Sequence, residues 1–216
     1  MRVYHVGNLR ESIVRPTAVC LGVFDGVHLG HRRLIDETLK VADEKGLQAL
    51  VHTYDPLPIS VLDPQKALCE LTPLKRRLQL LEEAGINFSA VSKFDDTLQH
   101  MPGKVFFEEV LLKKLNAKHI VAGFNHRFGF RADTDIMRLG ELCQEAGVGL
   151  SVIQPVNASG GRLISSSAIR EALLRGDIAL AQEMLGREVD DEILRQAKSA
   201  LPPLTNKVLS MEGGPK

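Results

Sequence analysis

AVCLGVFDGVHLGH, residues 18–31, decides the fold. An apolar run from Ala18 to Phe24 reads as a buried strand, Asp25-Gly26 reads as a turn, and the text after it has helical period. Leu34, Leu39, Val41 and Ala42 place an apolar face on a helix that opens near His28 and stops at Gly46. LQALVHTY, residues 47–54, supplies the next strand and closes a βαβ unit, and Asp55-Pro56-Leu57-Pro58 breaks the chain at its carboxyl end.

Outward from that unit the same alternation continues. Residues 59–71 show no sustained period. Thr72-Pro73 reads as an N-cap and first-turn proline opening LKRRLQLLEEAG, 74–85. Strands are expected at 88–94, 119–124 and 148–156, and helices at 102–115, 135–147 and 165–176, with Asp177 capping a further short helix through Leu185. Short apolar runs alternating with helical period predict an α/β fold, a mostly parallel sheet with helices on both faces.

The chain has 216 residues, 44% of them hydrophobic, enough for one full core and at most a small appendage. Lys plus Arg and Asp plus Glu each number 27, so charge gives no reason to expect a nucleic-acid or acidic-membrane partner. Cys20, Cys69 and Cys143 are far apart and lack Cys-x-x-Cys spacing, which favours buried thiols in a reducing compartment. No apolar run approaches the roughly 18 residues that span a bilayer, and MRVYHVGNLR lacks the apolar core of a signal peptide. A soluble, cytoplasmic protein is expected.

The same opening stretch carries the strongest chemical signal. Gly22 and Gly30 let backbone approach a ligand, and a helix N-terminus offers unpaired N–H groups to phosphate oxygens. His28 and His31, three apart, are placed to face one anion from the first turn. The stretch is neither a Walker A loop nor a three-glycine dinucleotide fingerprint. A zinc reading would need Asp25 or His52 as a further ligand. ISSSAIREALLRG provides a second anion-binding feature in Ser165, Ser166 and Ser167 at a helix start, with Arg170 offering a multi-donor fork. In GFNHRFGFRADTD, 123–135, Phe124 and Phe128 alternate with Asn125, His126 and Arg127 and suit a wall for a flat ring or a nucleotide. Neither a Ser-His-Asp order nor a close carboxylate pair stands out.

In their order, GVFDGVHLGH, TYDPLP, LTPLKRRLQLLEEAG, VAGFNHRFGF, LISSSAIREALLRGDI and MLGR resemble the adenylyltransferase module of bacterial FAD synthetases, over roughly residues 15–187. The resemblance implies a Rossmann-like nucleotidyltransferase fold and transfer of AMP from ATP to FMN with Mg²⁺, giving FAD and pyrophosphate. It implies His28, His31 and Arg170 as catalytic residues. Gly22, Phe24, Asp25, Gly30, Asn125, Phe128, Ser165, Ser166 and Ser167 would bind the substrates, with metal ligands left unassigned. The small molecules ATP and FMN are the implied partners. The alternatives are a related nucleotidyltransferase with another phosphorylated acceptor, or a non-catalytic flavin or nucleotide binder.

Three positions depart from the family pattern. Leu57 stands where a histidine is expected, His126 replaces a common aromatic, and Thr134 replaces a glycine. A boundary is expected after Arg187, with 188–216 a tail holding one possible helix (190–201) and none of the elements of the riboflavin kinase module that follows in the family.

Overall fold

In the computed structural model, residues 1–63, 70–191 and 193–195 are described. β1 (Arg2–His5) and β2 (Thr17–Leu21) lead to α1 (Leu29–Lys45), β3 (Gln48–Tyr54) and the short α2 (Pro58–Leu62). Then come α3 (Leu74–Glu83), β4 (Phe88–Ser92), α4 (Asp96–Gln99) and α5 (Gly103–Val105), which runs on as a π-helix, Phe106–Lys114. β5 (Ala117–Gly123), α6 (Ile136–Ala146), β6 (Gly149–Ile153), α7 (Ser166–Leu174) and α8 (Ile178–Leu185) follow.

The strands form one parallel sheet in the order β1-β4-β3-β2-β5-β6. From β2 the chain steps outward to β3 and β4, then returns to lay β5 on the other side of β2, the expected Rossmann-like α/β arrangement. In the central strands β2 and β3 both faces are buried, which is why they read as continuous apolar runs. Val19, Leu21, Leu50, Ile120 and Ala122 pack against Phe106, Phe107 and Leu111 of the π-helix and Leu139 and Leu142 of α6. On the opposite face Cys20, Val51 and Val121 meet Leu34 and Ile35 of α1 and Leu80 and Leu81 of α3.

Helix ends follow their local chemistry. Gly46 and Gly147 close α1 and α6 in left-handed conformation, and the carboxylates of Asp135 and Asp177 cap α6 and α8. Elsewhere the structure revises the expectations. β2 ends at Leu21, not Phe24, because the backbone leaves the strand at Gly22 and Phe24 takes a positive φ of 58°. Thr72 does not cap α3, whose N-cap is Pro73; its hydroxyl serves the β2–α1 loop instead. β1, α2 and α4 are short elements that periodicity did not predict.

A third apolar cluster joins α7 and α8 to Leu71 and continues past Arg187 through Val189 and Ile193. Arg76 of α3 holds that continuation through a forked pair of bonds to Asp190, at 3.1 and 3.3 Å. Within the helix expected over 190–201, Leu194 N–H donates to the Asp190 carbonyl at 3.1 Å, and residues beyond Arg195 lie outside the described ones. Cys20 and Cys143 are free and buried, and burial pushes the Cys20 thiol up to about 12 and that of Cys143 to about 11. Cys69 lies outside the described residues. Among the described residues, no helix is long and apolar enough to cross a membrane.

Candidate functional site

β2 and β5 are neighbours, yet their following helices lead to β3 on one side and β6 on the other, which opens a crevice at their carboxyl ends. A cavity of about 320 Å³ occupies it. Gly22, Val23, His28, Gly30 and His31 line it from the loop after β2, Asn125 and His126 from the loop after β5, and Ser165, Ser166 and Ser167 from the start of α7.

The β2–α1 loop is shaped by what it buries. The Phe24 ring turns into the core and lies 2.8 Å from where a Cβ on Gly22 would be, so any side chain at 22 collides with it. His28 is the N-cap of α1, one residue before the first turn in which it was expected, and its Nδ1 accepts the His31 backbone N–H at 3.3 Å. The two imidazoles stack, with centroids 3.7 Å apart and planes 16° apart. A Cβ on Gly30 would sit 3.1 Å from the His28 ring, so glycine there leaves the stack its room.

Both histidines are neutral near pH 7. Burial pulls His28 down to about 4, helped by the positive charge of Arg187. Burial, with His28, Arg77 and Arg187 beside it, holds His31 well below its usual value. Because His28 Nδ1 accepts, its remaining proton is on Nε2. His31 Nδ1 is buried and has no hydrogen-bond partner among the described residues. An anion placed here would gain donors at once and would favour protonation of both rings.

The second helix start is tied to the same loop. Ser165 caps α7 by accepting Ala168 N–H at 3.1 Å, and Ser166 donates to the Asp25 carbonyl at 2.8 Å. Asp25 is 1% exposed. Its carboxylate accepts from Leu71 N–H (3.1 Å), Thr72 N–H (2.9 Å) and the Thr72 hydroxyl (3.2 Å), and it pairs with Arg170. The Thr72 hydroxyl in turn accepts Gly26 N–H at 2.8 Å.

Of the expected site residues, Gly22, His28, Gly30, His31, Asn125, Ser165, Ser166 and Ser167 therefore meet at one cavity. Asp25 and Arg170 face each other behind it, and Phe24 lies in the core. Phe128 lines a second cavity of about 550 Å³, walled by the rings of Tyr54, Phe94, Phe106, Phe128 and Phe130. Leu57 is 2% exposed and lines neither cavity. Thr134 is buried and closes the 128–134 loop through paired backbone bonds to Phe128 at 3.0 and 3.1 Å. His52 bonds Ser92 at 2.8 Å beneath the second cavity's Tyr54 and Phe106. Among the described residues there is no group of three or more His, Cys, Asp or Glu that could hold a metal ion, so neither Asp25 nor His52 completes a zinc site with His28 and His31.

Two arginines matter that residue-type reasoning passed over. Arg77 is fully buried; its Nη1 donates to the Val23 carbonyl (3.1 Å), the Thr53 hydroxyl (2.9 Å) and the Tyr54 carbonyl (2.9 Å), and its Nη2 pairs with Glu70 at 2.9 Å. It thereby fastens the loops after β2 and β3 to α3. Arg187 donates to the Val27 carbonyl at 3.3 Å and brings positive charge behind His28. Their only sequence signal is membership of the LKRRLQLL and MLGR stretches.

Known proteins resemble the chain over most of its length. A family model described as FAD synthetase matches residues 10–168. The bifunctional riboflavin kinase/FMN adenylyltransferase of Escherichia coli (strain K12) is 30% identical over 181 residues, 84% of this chain and 58% of that protein. The protein of the same description from Bacillus subtilis (strain 168) is 32% identical over 188 residues, 87% of this chain and 58% of that protein. The chain thus spans a little over half the length of these relatives. A crystal structure described as a macrolide-efflux protein from Streptococcus pneumoniae has a TM-score of 0.77 at 26% identity, covering 88% of this chain and 61% of that one. A pantoate-beta-alanine ligase from Francisella tularensis shares the fold, with a TM-score of 0.53 at 13% identity, over 92% of this chain and 85% of that one.

Proposed function

The chain belongs to the FAD synthetase family, and we propose that it transfers AMP from ATP to FMN, giving FAD and pyrophosphate. The observation that carries this reading is the convergence of two helix N-termini and the stacked His28–His31 pair on one cavity that adjoins an aromatic-walled second one. The first cavity suits a nucleotide and its phosphates, and the second, with its five rings, suits the flavin.

An FMN phosphate oxygen attacks the α-phosphorus of ATP, the new P–O bond forms, and the bond from that phosphorus to the bridging oxygen breaks. Pyrophosphate leaves with the electron pair. The nucleophile is already anionic, so catalysis rests on alignment and on stabilising charge as it moves. His28 and His31 donate N–H groups to the phosphates from the α1 side. The Ser165–Ser167 hydroxyls and amides do so from α7. Arg170 and Asp25 set the distance between the two helix starts, so Arg170 acts by position as well as by charge.

Among the described residues no Asp or Glu lines the first cavity, and Asp25 is already committed. The side-chain oxygens of Asn125 and the serines fit a Mg²⁺ that arrives with the nucleotide, held chiefly by phosphate oxygens. That ion would neutralise charge on the phosphates.

Pyrophosphate release from ATP and Mg²⁺ with each flavin tests the reading. Release is expected with FMN, not with riboflavin, and is expected to vanish in His31→Ala. Release that ignores FMN would point to another acceptor, and tight binding without release would point to a binding protein.

A further inference from the structure

Two residues, Val23 and His126, line both cavities. This matters because the proposed reaction joins a group held in one cavity to a group held in the other, so the phosphates must meet where the cavities meet. The Val23 carbonyl is already engaged, accepting from the Thr53 hydroxyl at 2.7 Å and from Arg77 at 3.1 Å. Among the described residues, His126 therefore contributes the one polar side chain that lines both cavities.

Its placement is fixed by backbone. His126 N–H donates to the Gly123 carbonyl at 2.9 Å, a tight turn at the carboxyl end of β5 that holds the residue where the two cavities adjoin. The ring packs on Phe128, centroids 5.7 Å apart. Among the described residues its ring nitrogens make no hydrogen bond, in contrast to His28, His52 and His119, which are each engaged by a neighbour. Burial pulls it down to about 4, so near pH 7 it is a neutral imidazole with one N–H to give and one lone pair to accept.

We propose that His126 contacts the acceptor phosphate at the point where it meets the α-phosphoryl group, and that it is a further catalytic residue of the transfer. The inference rests on the function proposed above. It gives a role to a residue that stands where the resembled family commonly has an aromatic.

The test separates the contact from the activity by measuring flavin binding. Wild-type protein, His126→Phe and His126→Gln are titrated with FMN and with riboflavin, following flavin fluorescence. Wild type is expected to bind FMN more tightly than riboflavin. His126→Phe is expected to cut that preference about 10-fold, the effect of one hydrogen bond to a charged group, with riboflavin affinity unchanged. That unchanged affinity also shows that the variant is folded. His126→Gln, whose amide still donates, is expected to keep part of the preference, and it reports alone if the phenylalanine variant fails to fold. In turnover, kcat for FAD formation is expected to fall about 100-fold in His126→Phe with KM for ATP little changed. A preference for FMN that survives both substitutions would overturn the contact and leave the function standing. Wild type that binds both flavins equally would also overturn it. Wild type that binds neither would overturn the function, and the contact with it.

Discussion

Asp25 accepts hydrogen bonds from two backbone amides and a hydroxyl and pairs with a guanidinium while nearly excluded from water. Removing it takes the acceptor from two buried backbone amides and a hydroxyl. Asp25→Ala is therefore expected to destabilise the protein by about 3–5 kcal/mol, measured by urea unfolding, and a loss below about 1 kcal/mol would mean that the cluster is not a lock. His31 is different in kind, because its Nδ1 is a buried group without a partner among the described residues. His31→Ala is expected to lower kcat for FAD formation by about 10²–10³-fold while the melting curve stays cooperative. A proportionate loss of folded protein would assign the residue to packing instead.

Elements bring these residues together, and the two kinds of element signal differ in how far they could be read. Strand β2, the loop, helix α1 and the caps at Gly46, Asp135, Ser165 and Asp177 follow from local chemistry, so the text shows them directly. The commitment of Asp25 to Thr72 and Arg170 spans 47 and 145 residues, and no local pattern encodes it. The resemblance implies Phe24 as a substrate-binding residue, but its φ is positive and its ring lies in the core. Leu57 stands where the family pattern has a histidine, yet it is core, so Leu57→His is expected to lower stability rather than raise activity, as unfolding and turnover assays together would show. Arg77 has no signal in the text beyond its place in LKRRLQLLEEAG; its neighbours in space make it the bolt between α3 and two site loops. Arg77→Met is expected to cost about 3–5 kcal/mol by leaving buried acceptors and Glu70 unpaired. Arg77→Lys is expected to recover little, since an ammonium lacks the guanidinium fork.

For the whole molecule, the notable electrostatic feature is a set of histidines held neutral around two adjoining cavities. His28 and His126 are drawn down to about 4, His52 to about 3, and His31 well below its usual value, all chiefly by burial. As pH falls through about 6.5 the unfolded chain takes up these protons, while the native protein resists until about 4. The stability they allow is thus complete above that upper value and is lost on acidification across the window. Urea midpoints at a series of pH values are expected to drop steeply there, and less steeply with MgATP bound, because bound phosphate favours the protonated rings. A flat profile would contradict the buried, neutral assignment.

The same cavities frame the central claim, that a nucleotide in the first passes its AMP to a phosphate presented from the second. Following the α-phosphorus is the most direct measurement: purified protein is given FMN, Mg²⁺ and ATP labelled at the α-phosphate, and the flavin fraction is counted. The account predicts label in FAD in a 1:1 ratio with pyrophosphate released, and none when riboflavin replaces FMN. ATP consumed with the label left in free AMP, or label in a product that contains no flavin, would contradict it.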